Sequence, residues 1–138
     1  MKEIYVAAGI LERDGKILCA RRGWENKAWM SFRYEFPGGK IEAGETPEAA
    51  LVREIREELN LGVSVGPLFV TISHQYPDFL LHMKTYRCTC EDYGPLKLTV
   101  HKDCAWVEPE GLDKLDWVPA DGPVIKKIKK SFLEGTWN

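Results

Sequence analysis

The chain predicts a mixed α+β domain, and three observations carry that prediction. Its 138 residues fall within the usual span of one domain, about 100–150 residues, so residues 1–138 are expected to form a single unit. Short apolar runs bounded by Gly, Pro and Asp recur as strand signals, while two stretches carry a helical period instead. The composition, 44% apolar and 29% charged, suits a chain that buries a core and excludes disorder. No apolar run approaches the roughly 18 residues that cross a bilayer. With 19 Lys and Arg against 21 Asp and Glu, the chain lacks the positive field of a general nucleic-acid binder. Neither a membrane nor direct nucleic-acid contact is expected.

Ile4–Glu12 and Lys16–Arg21 read as strands joined by a hairpin, because Asp14-Gly15 accommodates positive φ. The first run is too poor in leader features to be a signal peptide: Glu3 follows Lys2 and no small-residue cleavage site follows. Gly23–Arg33, without a period, reads as a surface loop. Tyr34-Glu35-Phe36 is a short strand that ends at Pro37-Gly38-Gly39. Next comes the strongest helix signal. Thr46 suits the N-cap and Pro47 the first helical position. Leu51, Ile55 and Leu59 form an apolar stripe flanked by Val52, and Asn60 or Gly62 can end the helix. Val63–Ser73, Leu80–Cys90, Leu96–Val100 and Cys104–Val107 read as strands. Glu108–Leu112 reads as a helical turn and Pro123–Leu133 as a second helix, with Gly135 past its end. Lys126, Lys127, Lys129 and Lys130 make a solvated face of that helix. Cys19, Cys88, Cys90 and Cys104 lack paired metal-site spacing and are expected as reduced thiols in a cytoplasmic protein.

Glu54, Glu57 and Glu58 share one patch of the central helix, with Arg53 beside them and Glu45 just before the helix. Three like charges on one patch repel. A hard divalent cation relieves that repulsion, and oxygen donors suit Mg²⁺ or Mn²⁺ over Zn²⁺. The alternative is a solvated acidic face partnered by Arg53 and Arg56. Upstream, Gly38-Gly39-Lys40 sets bare backbone and one ammonium near the carboxylates.

Together these residues resemble the Nudix box. Gly39, Glu45, Arg53, Glu54, Ile55, Glu57, Glu58 and Leu61 all stand at its positions, and Asn60 replaces its last glycine. Asn tolerates a left-handed helix end, so the change touches backbone geometry and not the chemistry. Ala7-Ala8-Gly9-Ile10, Ala20-Arg21-Arg22, Glu35–Lys40 and Trp117-Val118-Pro119-Ala120-Asp121 extend the likeness to the MutT branch. The resemblance implies an α/β/α sandwich with a mixed sheet. It also implies Mg²⁺-dependent hydrolysis of nucleoside triphosphates to monophosphate and pyrophosphate, of the kind that clears 8-oxo-dGTP from the nucleotide pool. Cytosine triphosphates are the alternative substrates, and a non-catalytic nucleotide-binding module is a second alternative. A monomer or weak homodimer is expected.

By the same resemblance Glu54, Glu57 and Glu58 hold the metal with the Gly38 carbonyl. Glu54 is the leading candidate for the base, Arg53 orients a glutamate, and Glu45 supports the loop or the metal shell. Lys40 and Arg22 are candidates for the phosphates. The late-loop glutamate frequent in MutT-like enzymes has no counterpart in Thr99–Asp103; His101, Asp103 or water can stand in for it. Asp121 stands where the guanine-cleaning pattern has Asn. As a carboxylate it suits the cytosine amine and as a protonated acid a guanine edge, unless it caps the last helix. Phe79, Tyr76 and Trp29 are candidates to stack on a base, against core or loop packing.

Overall fold

Alternate side chains of the first strand, β1 (Glu3–Arg13), enter two different cores, and the molecule is arranged around that alternation. Ala8 and Ile10 face one core; Ala7 and Leu11 face the other. The computed structural model describes residues 2–91 and 95–137. A tight turn with Asp14 and Gly15 at positive φ leads into β2 (Lys16–Arg21). The two strands pair only at the hairpin end, Glu12 with Ile17 and Arg13 with Lys16. Further along, β4 (Gly38–Lys40) takes over the same edge of β1, and β3 (Tyr34–Glu35) pairs with the far end of β2. On its other edge β1 runs parallel to β6 (Leu80–Cys90), which carries β5 (Val63–Gln75) antiparallel outside it. β7 (Asp103–Val107) pairs antiparallel with β2. One parallel pairing among antiparallel ones makes the sheet mixed.

Helix α1 (Pro47–Leu59) covers one face of the sheet with Leu51, Ile55 and Leu59 against Ala7, Leu11 and Leu18. Helix α2 (Gly122–Leu133) covers the other with Val124, Ile125 and Ile128 against Ala8, Ile10 and Ile17. The α/β/α sandwich follows from those two stripes. Gly9 lies under α1, where an added Cβ would meet Leu51 Cδ1 at 3.5 Å and Leu11 Cδ1 at 2.7 Å. Thr46 caps α1 by accepting the Ala49 N–H at 3.1 Å. Asn60, not Gly62, ends it: its φ is 57° and its N–H reaches the Arg56 carbonyl. Val52 stays 42% exposed and takes no part in the stripe.

Three expectations change. Pro37-Gly38-Gly39 does not simply break the chain, because Gly38–Lys40 forms a strand against β1. Gly38 has a φ of 155°, and a Cβ there would meet the Ala7 carbonyl oxygen at 2.1 Å, so only glycine allows the approach. Leu96–Val100 is not a strand. The Lys97 and Thr99 N–H groups donate to the carbonyls of Leu59 and Glu58 at 3.0 and 3.1 Å, satisfying the C-terminal end of α1. Leu96 and Leu98 still face inward against the α1 core. Finally, α2 begins at Gly122 with Asp121 at its N-cap position, yet the Asp121 side chain makes no capping bond.

Cys19 and Cys88 are buried, and burial pushes both thiols up to about 12. On α2, Lys129 pairs with Asp113 and Lys127 reaches the Phe69 carbonyl. No helix among the described residues is long and apolar enough to cross a membrane.

The left-handed Asn60 gives a stability test. Asn60→Ala is expected to cost about 1 kcal/mol in urea unfolding, because a Cβ-bearing residue without a local polar side chain disfavours that conformation. Asn60→Gly is expected to stay within about 0.5 kcal/mol of the parent.

Candidate active site

Where β1 and β2 part, a cavity of about 430 Å³ opens between the Glu35–Lys40 segment, the start of β1 and β6, and the turn before α2. One end is apolar, walled by Val6, Phe79, Leu81 and Met83, with Asp121 in its floor. The other end is polar and holds Arg22, Glu35, Lys40, Glu58 and His101.

Arg53 organises the carboxylates beside the polar end. Its Nε and Nη2 donate to the two Glu45 oxygens at 2.7 and 3.0 Å, a bidentate fork. Nη1 meets Glu54 Oε1 at 3.0 Å and Glu57 Oε2 at 3.3 Å, and Nη2 also reaches the Lys40 carbonyl at 3.1 Å. The Glu45 bonds above all raise the Arg53 pKa, and the same contact holds Glu45 below the ordinary carboxylate range. Glu54 is packed against Gly39, where an added Cβ would lie 2.4 Å from its carboxyl carbon.

Glu58 lies deeper. Burial pushes its carboxyl up to about 8, and the nearby charges of Glu35 and Glu54 add to the rise; the Gly38 N–H opposes it. Its Oε2 is buried without a hydrogen-bond partner. Glu57 instead is 58% exposed and turned to Arg53. The predicted trio thus differs in depth, Glu58 buried beside Glu54 and Glu57 exposed, while Glu54 and Glu57 share one Arg53 nitrogen. Among the described residues no three His, Cys, Asp or Glu side chains converge into a cation site. The donor set nevertheless fits a hard divalent cation. Two adjoining carboxyls, one with an orphaned buried oxygen, lie beside bare glycine backbone, and a cation there offsets the repulsion that raises Glu58.

The other predicted residues divide too. Lys40 is exposed at the cavity edge. Arg22 lines the cavity, but its guanidinium is already engaged by Glu35 at 2.9 Å and Glu25 at 3.2 Å. Asp121 is 3% exposed and accepts the Phe36 N–H at 3.2 Å. Burial, then the Glu35 charge, raises its carboxyl well above the ordinary range, which favours the protonated acid. Phe79 lines the cavity, with the Tyr76 ring 4.9 Å away. Tyr76 is buried yet also lines the cavity, its hydroxyl accepting the Ala120 N–H, whereas Trp29 stacks on Tyr76 outside the lining. Asp103 is paired with Arg21 at 2.9 Å and is not among the residues that line the cavity. His101 does reach the site, buried between Glu35 and Glu58. Glu35 has no role in the sequence reading, yet it touches both Arg22 and His101. Its only sequence signal is a charge placed inside a short strand beside Pro37-Gly38-Gly39.

A model of the NUDIX domain matches residues 1–128. The chain belongs to the NUDIX family. It is 35% identical over 126 residues to the CTP pyrophosphohydrolase of Escherichia coli, covering 91% of each chain. It is 36% identical over 134 residues to the 8-oxo-dGTP diphosphatase of the same organism, covering 94% of this chain and 99% of that one. Among solved structures, the E. coli ORF135 protein superposes with a TM-score of 0.82 at 33% identity, covering 97% of this chain and 94% of that one. The MutT protein from methicillin-resistant Staphylococcus aureus 252 gives 0.72 at 40% identity, covering 95% and 99%. This Nudix chain is therefore a hydrolase of nucleotides, with its box folded around Arg53.

The raised Glu58 carboxyl fixes a pH dependence. Between its ordinary 4.5 and about 8, the folded metal-free protein keeps a proton that the unfolded chain releases, so stability falls as pH rises through that window. Thermal melting in EDTA is expected to show this fall. Glu58→Gln flattens it without abolishing it, because buried Asp121 acts in the same direction.

Proposed function

We propose that this Nudix hydrolase cleaves nucleoside triphosphates to nucleoside monophosphate and pyrophosphate, in the cytoplasm, with oxidised guanine nucleotides as the preferred class. The observation that carries the reading is one cavity whose lining combines the buried acid Asp121 and apolar walls with Glu58 of the box and the Gly38-Gly39-Lys40 backbone. Glu54, Glu57 and Glu58, with the Gly38 carbonyl, would hold Mg²⁺, or Mn²⁺ in its place. When bound, that ion spreads the negative charge of the phosphoryl oxygens.

The chain's own residues do the rest. Arg53 holds Glu54 and Glu57 in place while Glu45 anchors Arg53 to the loop. Glu54, fixed by Arg53 and packed on Gly39, takes the proton from the attacking water. The water oxygen joins one phosphorus of the α–β bridge, the bond from that phosphorus to the bridging oxygen breaks, and the bridging oxygen leaves on the other fragment, so that the two products are nucleoside monophosphate and pyrophosphate. Lys40 supplies an ammonium at the cavity edge. Arg22 can turn to a phosphate by exchanging Glu25 for it, at the cost of that ion pair. At the apolar end, Phe79 contacts the base face and Asp121 reads its edge. A protonated Asp121 both donates and accepts, which matches a guanine edge. An ionised Asp121 only accepts and matches the cytosine amine, so a cytosine triphosphate is the second reading.

Pyrophosphate release with Mg²⁺ from 8-oxo-dGTP, dGTP, CTP, dCTP and 5-methyl-dCTP tests this. The oxidised guanine nucleotide is expected to have the highest kcat/KM, and a cytosine preference transfers the assignment to the second reading. Glu57→Gln is expected to lower kcat by about 100-fold or more at saturating nucleotide. Release from no member of the panel by the parent protein rejects triphosphate hydrolysis.

Asp121 can be tested on its own. Asp121→Asn retains a donor and an acceptor and is expected to keep the parent's preference for oxidised guanine. Asp121→Leu, which leaves a base edge unpaired, is expected to raise KM by about 10–100-fold.

A further inference from the structure

His101 stands at the polar end of the cavity between two carboxylates. Its side chain is 2% exposed, with Nε2 2.8 Å from Glu35 Oε2 and Nδ1 4.0 Å from Glu58 Oε2. Nδ1 and Glu58 Oε2 are both buried, and neither has a hydrogen-bond partner. Two orphaned polar atoms facing each other are costly as they stand. An approach of about 1 Å makes them a hydrogen bond. One proton between them satisfies both, whichever atom carries it.

The backbone around the ring is already fixed. Thr99 on one side donates through Oγ1 to the Glu57 carbonyl at 2.9 Å and through its N–H to the Glu58 carbonyl. On the other side the Lys102 N–H donates to the Arg21 carbonyl at 2.9 Å. Glu35, beyond the ring, is held on its other oxygen by Arg22. The imidazole is thus held at Nε2 by Glu35, and the gap left to close lies between Nδ1 and Glu58 Oε2.

We propose that His101 is a positioning residue that closes on Glu58 Oε2 in the working enzyme. It fixes the Glu58 carboxyl with one nitrogen and Glu35, the partner of Arg22, with the other. This rests on the reading of Glu58 as a metal-holding residue of a triphosphate hydrolase. The two nitrogens serve different groups, the metal-holding Glu58 and the Glu35–Arg22 pair, so their effects separate. Nδ1 governs cation affinity and kcat; Nε2 governs KM.

Two near-isosteric variants divide the ring. His101→Asn keeps a polar atom near the Nδ1 position and gives up the reach to Glu35. His101→Gln keeps one near Nε2 and gives up Glu58. His101→Ala removes both. Mn²⁺ binding to the nucleotide-free protein, followed by electron paramagnetic resonance, is measured alongside kcat, KM and thermal melting. His101→Gln is expected to weaken Mn²⁺ binding and lower kcat by about 10–100-fold with KM near the parent value. His101→Asn is expected to keep Mn²⁺ affinity and kcat within about threefold and to raise KM by about tenfold or more. Equal Mn²⁺ affinity in the parent and His101→Gln overturns the proposal, as does the same loss in both polar variants with no division between kcat and KM. If the parent binds Mn²⁺ but turns over no triphosphate, the functional reading has failed and the Mn²⁺ comparison alone decides the role of His101. A parent that binds no Mn²⁺ overturns both.

Discussion

The site depends on one guanidinium. Arg53 reaches Glu45 and the Lys40 carbonyl on the loop side and Glu54 and Glu57 on its own helix, so a single planar cation ties a loop to a helix face. A lysine in its place offers a point charge without the fork and cannot meet Glu45 through two parallel bonds while reaching Glu54. The surrounding carboxylates would otherwise repel, and their crowding is tolerable because Arg53 is shared among them. Glu58 lies outside its reach, and burial, with the charges of Glu35 and Glu54 added, raises its carboxyl to about 8.

The cavity itself is a product of strand geometry. β1 is longer than its pairing with β2, so the two strands diverge and Gly38–Lys40 fills the vacated edge. The helix α1, packed on Leu11 and Leu18, then presents its carboxylates beside that inserted segment. On the opposite face Phe36, Trp117 and Ala120 hold the turn that carries Asp121. Both ends of the cavity thus hang on the same sheet, one from each of its two cores.

Local patterns are legible in the sequence; long-range polar pairs are not. The Thr46 cap, the Leu51–Ile55–Leu59 stripe and the Asp14-Gly15 turn each depend on residues a few positions apart, and each is found where it is expected. The sandwich follows from the two helical stripes and the likeness of the box. Leu96–Val100 misleads because Leu96 and Leu98 alternate inward as in a strand, while alternation says nothing about where the backbone donors go. Glu35 and His101 stand 66 residues apart, so no spacing rule joins them. Asp121 is recognisable by its position, but its protonation follows from burial that only the folded chain creates.

The buried cysteines have a consequence for the conditions in which such a protein can work. The thiolate is the form of cysteine that attacks peroxide and is oxidised by it. In Cys19 and Cys88 burial holds the thiol protonated up to about 12, and both lie within the packed cores. Buried and protonated, these two thiols are poor nucleophiles toward peroxide, so the cores that support the sheet offer an oxidant no reactive sulfur at either position.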